Sequence, residues 1–383
     1  MNTPEQRAMM RFLTVLTIAS VVGLQTWMIL FNNFAVEIAG LNGQQVGIIQ
    51  SIREIPGFLA LLAIYIMLLF KEHKIAAISI IALGCGTAAT GLLPSYTGLI
   101  CTTLLMSFGF HYYETMNQSL ILQYFDRHVS PVVFGRLRSL AAAAAIITSG
   151  LVLCLDQFTE YKTVYLFLGG CVALAGFWAL FRDPTDKRLP PQRKRMVLRR
   201  KYSLYYFLTF MAGARRQIFV AFSIFLLVKK FSFTVQEVTI LFMFNNVVNY
   251  FLNPLIGRTI LKYGERKVLS LEYAGLIIVF CAYGYSDSKL FVTCMYIIDH
   301  ILFNFSMAIR TYFQKIGDPR DIAPSMAVGF TINHIAAVVI PALGGIIWMI
   351  DYRIPFLAGA VMSMFSLVAV QKIPDFTIRQ PHE

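Results

Sequence analysis

Apolar residues in this chain fall in long runs separated by short polar stretches, and the runs follow one another almost from end to end. Each run is of roughly the length that a helix rising 1.5 Å per residue needs to cross a hydrocarbon core of about 30 Å. The pattern predicts twelve membrane-spanning helices, at residues 12–35, 44–70, 75–94, 98–123, 134–156, 163–181, 203–228, 236–260, 267–284, 289–314, 325–349 and 354–371. The first run follows Met1–Arg11 as a signal peptide would. It lacks a small-residue cleavage site and is too long for one, so it is expected to be a span.

Composition agrees with this pattern. Of 383 residues, 57% are hydrophobic and 14% are charged, whereas soluble domains carry about 25% charged residues. The class is a polytopic membrane protein. The net charge of +13 would in a soluble chain raise the prospect of nucleic-acid binding, but here its distribution is topological. With the N-terminus inside, 25 of the 33 lysines and arginines fall on the cytoplasmic side, five fall outside (Lys162, Lys229, Lys230, Lys289, Arg353) and three lie in mid-membrane (Arg53, Arg215, Arg216). The positive-inside rule then puts both termini in the cytoplasm, the membrane being the inner (plasma) membrane. Nine of the inside residues crowd into the stretch 182–201, which also contains Pro184, Pro190 and Pro191.

That stretch divides the chain into an N-terminal six-helix bundle at 1–181, a basic cytoplasmic connector at 182–201 and a C-terminal six-helix bundle at 202–383. A weak internal repeat supports the division. Tyr124-Phe125 at the end of span 4 matches Tyr312-Phe313 at the end of span 10, and the same offset carries His111 onto Asp299. The six cysteines lie in apolar runs without a CxxC pair, so neither a disulfide framework nor a zinc site is expected, and no metal or other cofactor. No Ser/His/Asp order or glycine-rich phosphate loop speaks for an enzyme.

Between spans 8 and 9 the chain reads Gly257-Arg258-Thr259-Ile260-Leu261-Lys262-Tyr263-Gly264-Glu265-Arg266-Lys267. This resembles the signature loop of the major facilitator superfamily, with Leu261 in place of the usual acidic residue. The first-half counterpart is reduced to Lys71-Glu72-His73-Lys74. Pro341-Ala342-Leu343-Gly344-Gly345 in span 11 and Asp351-Tyr352-Arg353-Ile354-Pro355-Phe356 after it are also similar to that superfamily. The resemblance implies an all-α fold of two pseudosymmetric six-helix bundles, a central cavity lined mainly by spans 1, 4, 7 and 10, alternating access and a monomer in the lipid bilayer.

Candidate chemistry lies where ionisable residues interrupt the apolar runs. Arg215 and Arg216 fall about halfway along span 7. A lone charge there costs at least about 2.5–3.5 kcal/mol, so each needs a polar surrounding and partners. Being about 100° apart on the helix, they are expected to divide the work, one binding ligand and the other locked onto an acid from a neighbouring helix. On span 2, Arg53 shares a stripe with Gln50 and Gly57, while Glu54 points elsewhere and is expected to meet another helix. On span 4, His111, Glu114 and Gln118 share a face beside Tyr113 and Asn117, and a His and a carboxylate one turn apart can tune each other's protonation. Span 10 adds Asp299 and His300. Span 8 carries Asn245, Asn249 and Asn253 as a polar stripe, and span 1 contributes Gln25. Glu272 is read as a structural partner of the basic loop at Arg266-Lys267, and Arg136 and Arg138 as residues that snorkel to lipid headgroups.

These residues lead to a secondary transporter for a small or medium organic anion, a symporter or antiporter coupled to protons. Arg53, Arg215, Arg216, Gln25, Tyr113, Asn117, Gln118, Asn245, Asn249 and His300 would bind the carboxylate- or phosphate-bearing substrate. Glu54, His111, Glu114 and Asp299 would carry protons, because arginine does not deprotonate. The plainer reading makes the deep charges a fixed network holding helices together. Efflux of amphiphilic compounds and a non-transporting sensor or scaffold on a transporter fold are the alternative functions.

Overall fold

A computed structural model describes residues 3–156, 158–186 and 188–375. Lys187 and Arg379 of the charge count lie outside the described residues, as do the side-chain surroundings of Pro341, Ala342 and Gly345. Among the described residues the regular structure is entirely helical and comprises twelve long helical spans. In chain order these are α1 (Pro4–Asn33), α2 (Gly43–Phe58), α3 (Glu72–Thr90), α4 (Tyr96–Tyr124), α5 (Ser130–Asp156), α6 (Tyr161–Leu180) and α7 (Ser203–Ile218). A single 51-residue helical stretch, Val235–Tyr285, follows. It breaks at Gly264, where φ is +80° and ψ is 162°, and this divides it into α8 (235–263) and α9 (265–285). The set closes with α10 (Lys289–Phe303, resumed at Met307–Ile316), α11 (Ile322–Ile350) and α12 (Arg353–Val370).

Local chemistry sets the helix starts. Thr3, Ser95 and Ser288 each accept the amide of the residue three positions on. Asn42 with Gln45, and Thr234 with Glu237, form reciprocal capping boxes at α2 and α8. Such caps satisfy amides that a new helix leaves without partners. Breaks within spans have causes of the same kind. Pro56 removes an amide from α2, and the helix tightens into a 3₁₀ turn at Leu59–Leu62. There the amide of Leu61 is bonded instead by the Thr331 hydroxyl at 2.9 Å. α7 widens into a π-turn at Phe219–Ser223 before continuing as Ile224–Phe231.

Eight stretches among the described residues are long and apolar enough to cross a membrane by length and composition alone. α4 and α7 are not among them, and these two carry the His111–Gln118 and Arg215-Arg216 clusters.

The chain divides into two compact units. The first comprises residues 1–126, 140–197 and 318–331; the second comprises 127–139, 198–317 and 332–383. In the first, α3 packs against α4 and α6 through small residues. A Cβ on Gly84 would stand 2.3 Å from the backbone nitrogen of Ala173, and one on Gly109 would stand 2.4 Å from that of Leu83. Without a hydrophobic driving force between helices in lipid, close backbone approach of this kind supplies dispersion contacts. In the second unit, α9 packs on α12, and the opening residues of α5 lie on α8, where a Cβ on Gly135 would meet the Asn253 carbonyl at 2.4 Å. The six cysteines are free; five are exposed and Cys281 is half-buried.

Candidate substrate and proton sites

In the first unit, Arg53 and Glu54 of α2 pair with each other, Arg53 Nη2 lying 2.7 Å from Glu54 Oε1. The sequence pattern puts them on different partners. The flexible arginine side chain instead folds back across the 100° offset, and its guanidinium also lies 5.5 Å from the Trp27 ring centroid. The arginine side chain keeps 22% of its surface exposed. The Glu54 carboxylate comes within 4.8 Å of a ring nitrogen of His111. His111 is buried, and its Nδ1 is held by Ser107 through the hydroxyl at 3.0 Å and the carbonyl at 2.9 Å. Phe110 and Phe330 meet the imidazole edge-on. Ser107 also donates to the Arg53 carbonyl, so one serine ties α2 and the imidazole together.

The other first-unit candidates divide by burial. Tyr113 is fully buried and bonds Thr17 at 2.8 Å, joining α4 to α1. Gln25 donates to the Ser149 hydroxyl at 3.2 Å. Asn117 and Gln118 are buried, and the Asn117 Oδ1 has no hydrogen-bond partner. Glu114 is half-buried.

The second unit concentrates charge more tightly. Gly213 lets α7 approach α11, for a Cβ there would meet the Asn333 carbonyl at 2.4 Å. Two residues on, Arg215 is 3% exposed. It donates to the Ser366 hydroxyl of α12, lies over the Tyr273 ring at 4.5 Å and has Glu272 Oε1 of α9 at 4.0 Å. Glu272 and Asp299 are each 2% exposed. Arg215, Arg216, Glu272 and Asp299 share a cavity of about 20 Å³, with Ala212 and Ser306 also in its wall. Arg216 is half-buried, with its guanidinium 5.8 Å from the Phe303 ring. Glu272 is thus a partner of Arg215, whereas the sequence assigns it to the Arg266-Lys267 loop. There Arg266 pairs with Asp375 instead, at 2.9 Å.

A hydrogen-bond chain runs beside this cavity. Asn249 Nδ2 meets His300 Nε2 at 2.8 Å, its Oδ1 accepts from Asn304 at 2.8 Å, and Arg138 donates to both the carbonyl and the side-chain oxygen of Asn304. Arg138 therefore turns inward and does not snorkel; the exposed residue of that pair is Arg136. The helical ladder of α10 is interrupted by the 3₁₀ turn Asn304–Ser306, and the Asn304 carbonyl finds a cationic donor. Asn245 is 1% exposed, and neither of its side-chain polar atoms has a hydrogen-bond partner.

Of the twelve helical spans, α2, α4, α7, α9 and α10 carry buried or half-buried ionisable groups within them. The sequence profile of the Major Facilitator Superfamily matches residues 12–316. The chain belongs to the Major Facilitator Superfamily. No curated protein sequence matches it. Among solved structures it is similar to the human organic anion transporter MFSD10 (TM-score 0.74, 11% identity, covering 96% of this chain and 100% of that one). It is also similar to FucP in its outward conformation (0.76, 14%, 96% and 98%). A bacterial homologue of the iron transporter ferroportin in an outward-facing state matches as well (0.73, 13%, 95% and 98%). At these identities the shared property is the fold of two pseudosymmetric six-helix bundles. As a member of the superfamily this chain is a multi-pass membrane protein and a secondary transporter of small molecules.

Proposed function

We propose that the transported molecule is a small or medium organic anion bearing carboxylate or phosphate, moved across the inner membrane by alternating access with coupling to protons. One observation carries the reading: each unit holds one deep arginine whose surroundings leave it partly exposed, Arg53 in the first and Arg216 in the second. Guanidinium is permanently charged and its planar fork matches carboxylate and phosphate, which makes it the natural contact for such a ligand. Gln25, Asn117 and Gln118 of the first unit and Asn249 and His300 of the second supply neutral polar groups. Glu54, His111, Glu114 and Asp299 are the groups able to exchange a proton. MFSD10 is an organic anion transporter and FucP is a fucose:proton symporter of E. coli. Both modes run on this fold, and the arginines favour the anion.

The experiment is a thermal-stability screen of purified protein against carboxylates and phosphates, followed by uptake of the best ligand into proteoliposomes with and without a pH gradient. Uptake driven by the gradient supports the reading. Uptake driven only by a membrane potential removes proton coupling, and stabilisation by neutral or cationic amphiphiles alone replaces the anion with the efflux reading. The distribution of lysine and arginine supports a cytoplasmic position for both termini; protease protection of terminal tags in right-side-out vesicles tests this.

A further inference from the structure

Among the described residues, the most concentrated unexplained charge is the cluster between α7, α9, α10 and α12. It holds Arg215, Glu272 and Asp299, each no more than 3% exposed. Counted as fixed charges, that is one cation against two carboxylates. The remaining surroundings are mainly neutral, with Arg216 and Arg138 at the edge of the cluster. From α9 come the Tyr273 ring beneath Arg215 and the Tyr283 hydroxyl, which approaches Asp299 without closing a hydrogen bond. From α10 come Tyr296 and His300, the latter held by Asn249. From α12 comes the Ser366 hydroxyl. Arg216 borders the same cavity, but it is only half-buried and its guanidinium lies over Phe303. Arg138 acts on Glu272 from farther off while donating to Asn304.

A second observation points the same way. Four buried polar atoms, Arg215 Nε and Nη2, Glu272 Oε2 and Asp299 Oδ2, have no hydrogen-bond partner. Their residues border the cavity of about 20 Å³, the room one water molecule takes. An unneutralised carboxylate in such a place is far more costly than a protonated one, because the neutral acid keeps its hydrogen-bonding capacity and loses the desolvation penalty of the charge. A protonated carboxyl also gains a donor, which can serve the unmet acceptors on both acids, directly or through a water in the cavity.

We infer that Glu272 and Asp299 form an intramembrane proton-binding site, holding a single proton between them opposite Arg215, through the water-sized cavity that both border. Arg215 is then the fixed counter-ion of a proton site, and Arg216 keeps the ligand-facing role proposed above. This rests on the proton-coupling part of the proposed function and deepens it by adding Glu272, and it separates the two arginines by role.

The inference has an unusual consequence for single substitutions. In the wild type the pair contributes one carboxylic acid and one carboxylate. In Glu272→Gln the remaining Asp299 faces Arg215 one to one and gives up the proton, and in Asp299→Asn the remaining Glu272 does the same. Infrared spectra of purified protein in lipid at neutral pH read this directly, with folding checked by size-exclusion profile. Each single variant is expected to lose one equivalent of protonated carboxyl absorption and no carboxylate absorption, and the double variant to lose one of each. The inference is overturned if either single variant keeps the wild-type carboxyl band while losing a carboxylate equivalent, since the two acids would then be independent or both ionised. No transported ligand is needed, so failure here leaves the anion reading standing, and failure of anion uptake leaves the proton site standing.

Discussion

Arg215 and Arg216 are adjacent in sequence and border one cavity, yet Arg215 is 3% exposed while Arg216 is half-buried. Arg215 is closed in by Ser366, Tyr273 and Glu272, and removing one partner of a buried charge cluster costs about 3–5 kcal/mol, because the other charges are left exposed to a low-dielectric interior. Arg215→Ala is therefore expected to lower the thermal midpoint of the purified protein severely. Arg216→Ala should lower it little and abolish stabilisation by the anion that stabilises the wild type. The same screen reads both variants, and equal behaviour would contradict the division of roles. That one arginine would pair with a neighbouring acid is legible from the 100° offset of successive helical residues. Which one, and that the acid is Glu272, is not. Glu272 lies only about one and a half turns into its span and next to a basic loop, and nothing local in the sequence records which helix packs beside it.

At the scale of the helix, the twelve spans are legible because hydrophobic run length is a strong signal. The joints within them are less so. The sequence puts the boundary between α8 and α9 near the glycine-containing signature loop, and the break does fall there, at Gly264 with φ of +80°. Side chains other than glycine rarely adopt that conformation, at a cost of about 1–3 kcal/mol, so Gly264→Val should reduce thermal stability by that order while Gly170→Ala, where a Cβ meets nothing within 4 Å, should not. The 3₁₀ break at Asn304–Ser306 has no comparable signal. It depends on Arg138 donating to the freed Asn304 carbonyl, a contact between residues 166 positions apart. Hydrogen bonds to charged groups contribute about 1.5–3 kcal/mol, and Arg138→Ala is expected to lose stability in that range, measured as the thermal midpoint of the purified protein.

Across the whole chain, the basic connector that marks the sequence boundary is not a loose tether along its length. Arg193 donates to both Asp318 and Asp321, its amide bonds the Arg320 carbonyl at 2.8 Å, and Gln192 bonds the Pro319 carbonyl and the Ala323 amide. These contacts explain why residues 318–331 group with the first unit, although the sequence division assigns them to the second half. Long-range pairing through a linker leaves no periodic trace, so only the folded chain reveals it. Limited digestion with proteinase K should cut the connector of Arg193→Ala faster than that of the wild type, and raised salt should narrow the difference by weakening the wild-type contact.

The placement of the cysteines has a practical outcome. All six thiols lie within helical spans, and five of them have exposed side chains; those that face lipid meet hydrocarbon. The thiolate is the reacting species, and a charged, membrane-impermeant maleimide does not enter that phase. The native protein is therefore expected to take up almost no such reagent in sealed vesicles, while a single cysteine introduced at Ser286, between α9 and α10, should label from one side only. The unaltered chain would serve as its own silent background, and its movements could be followed by site-directed labelling without first removing any native cysteine.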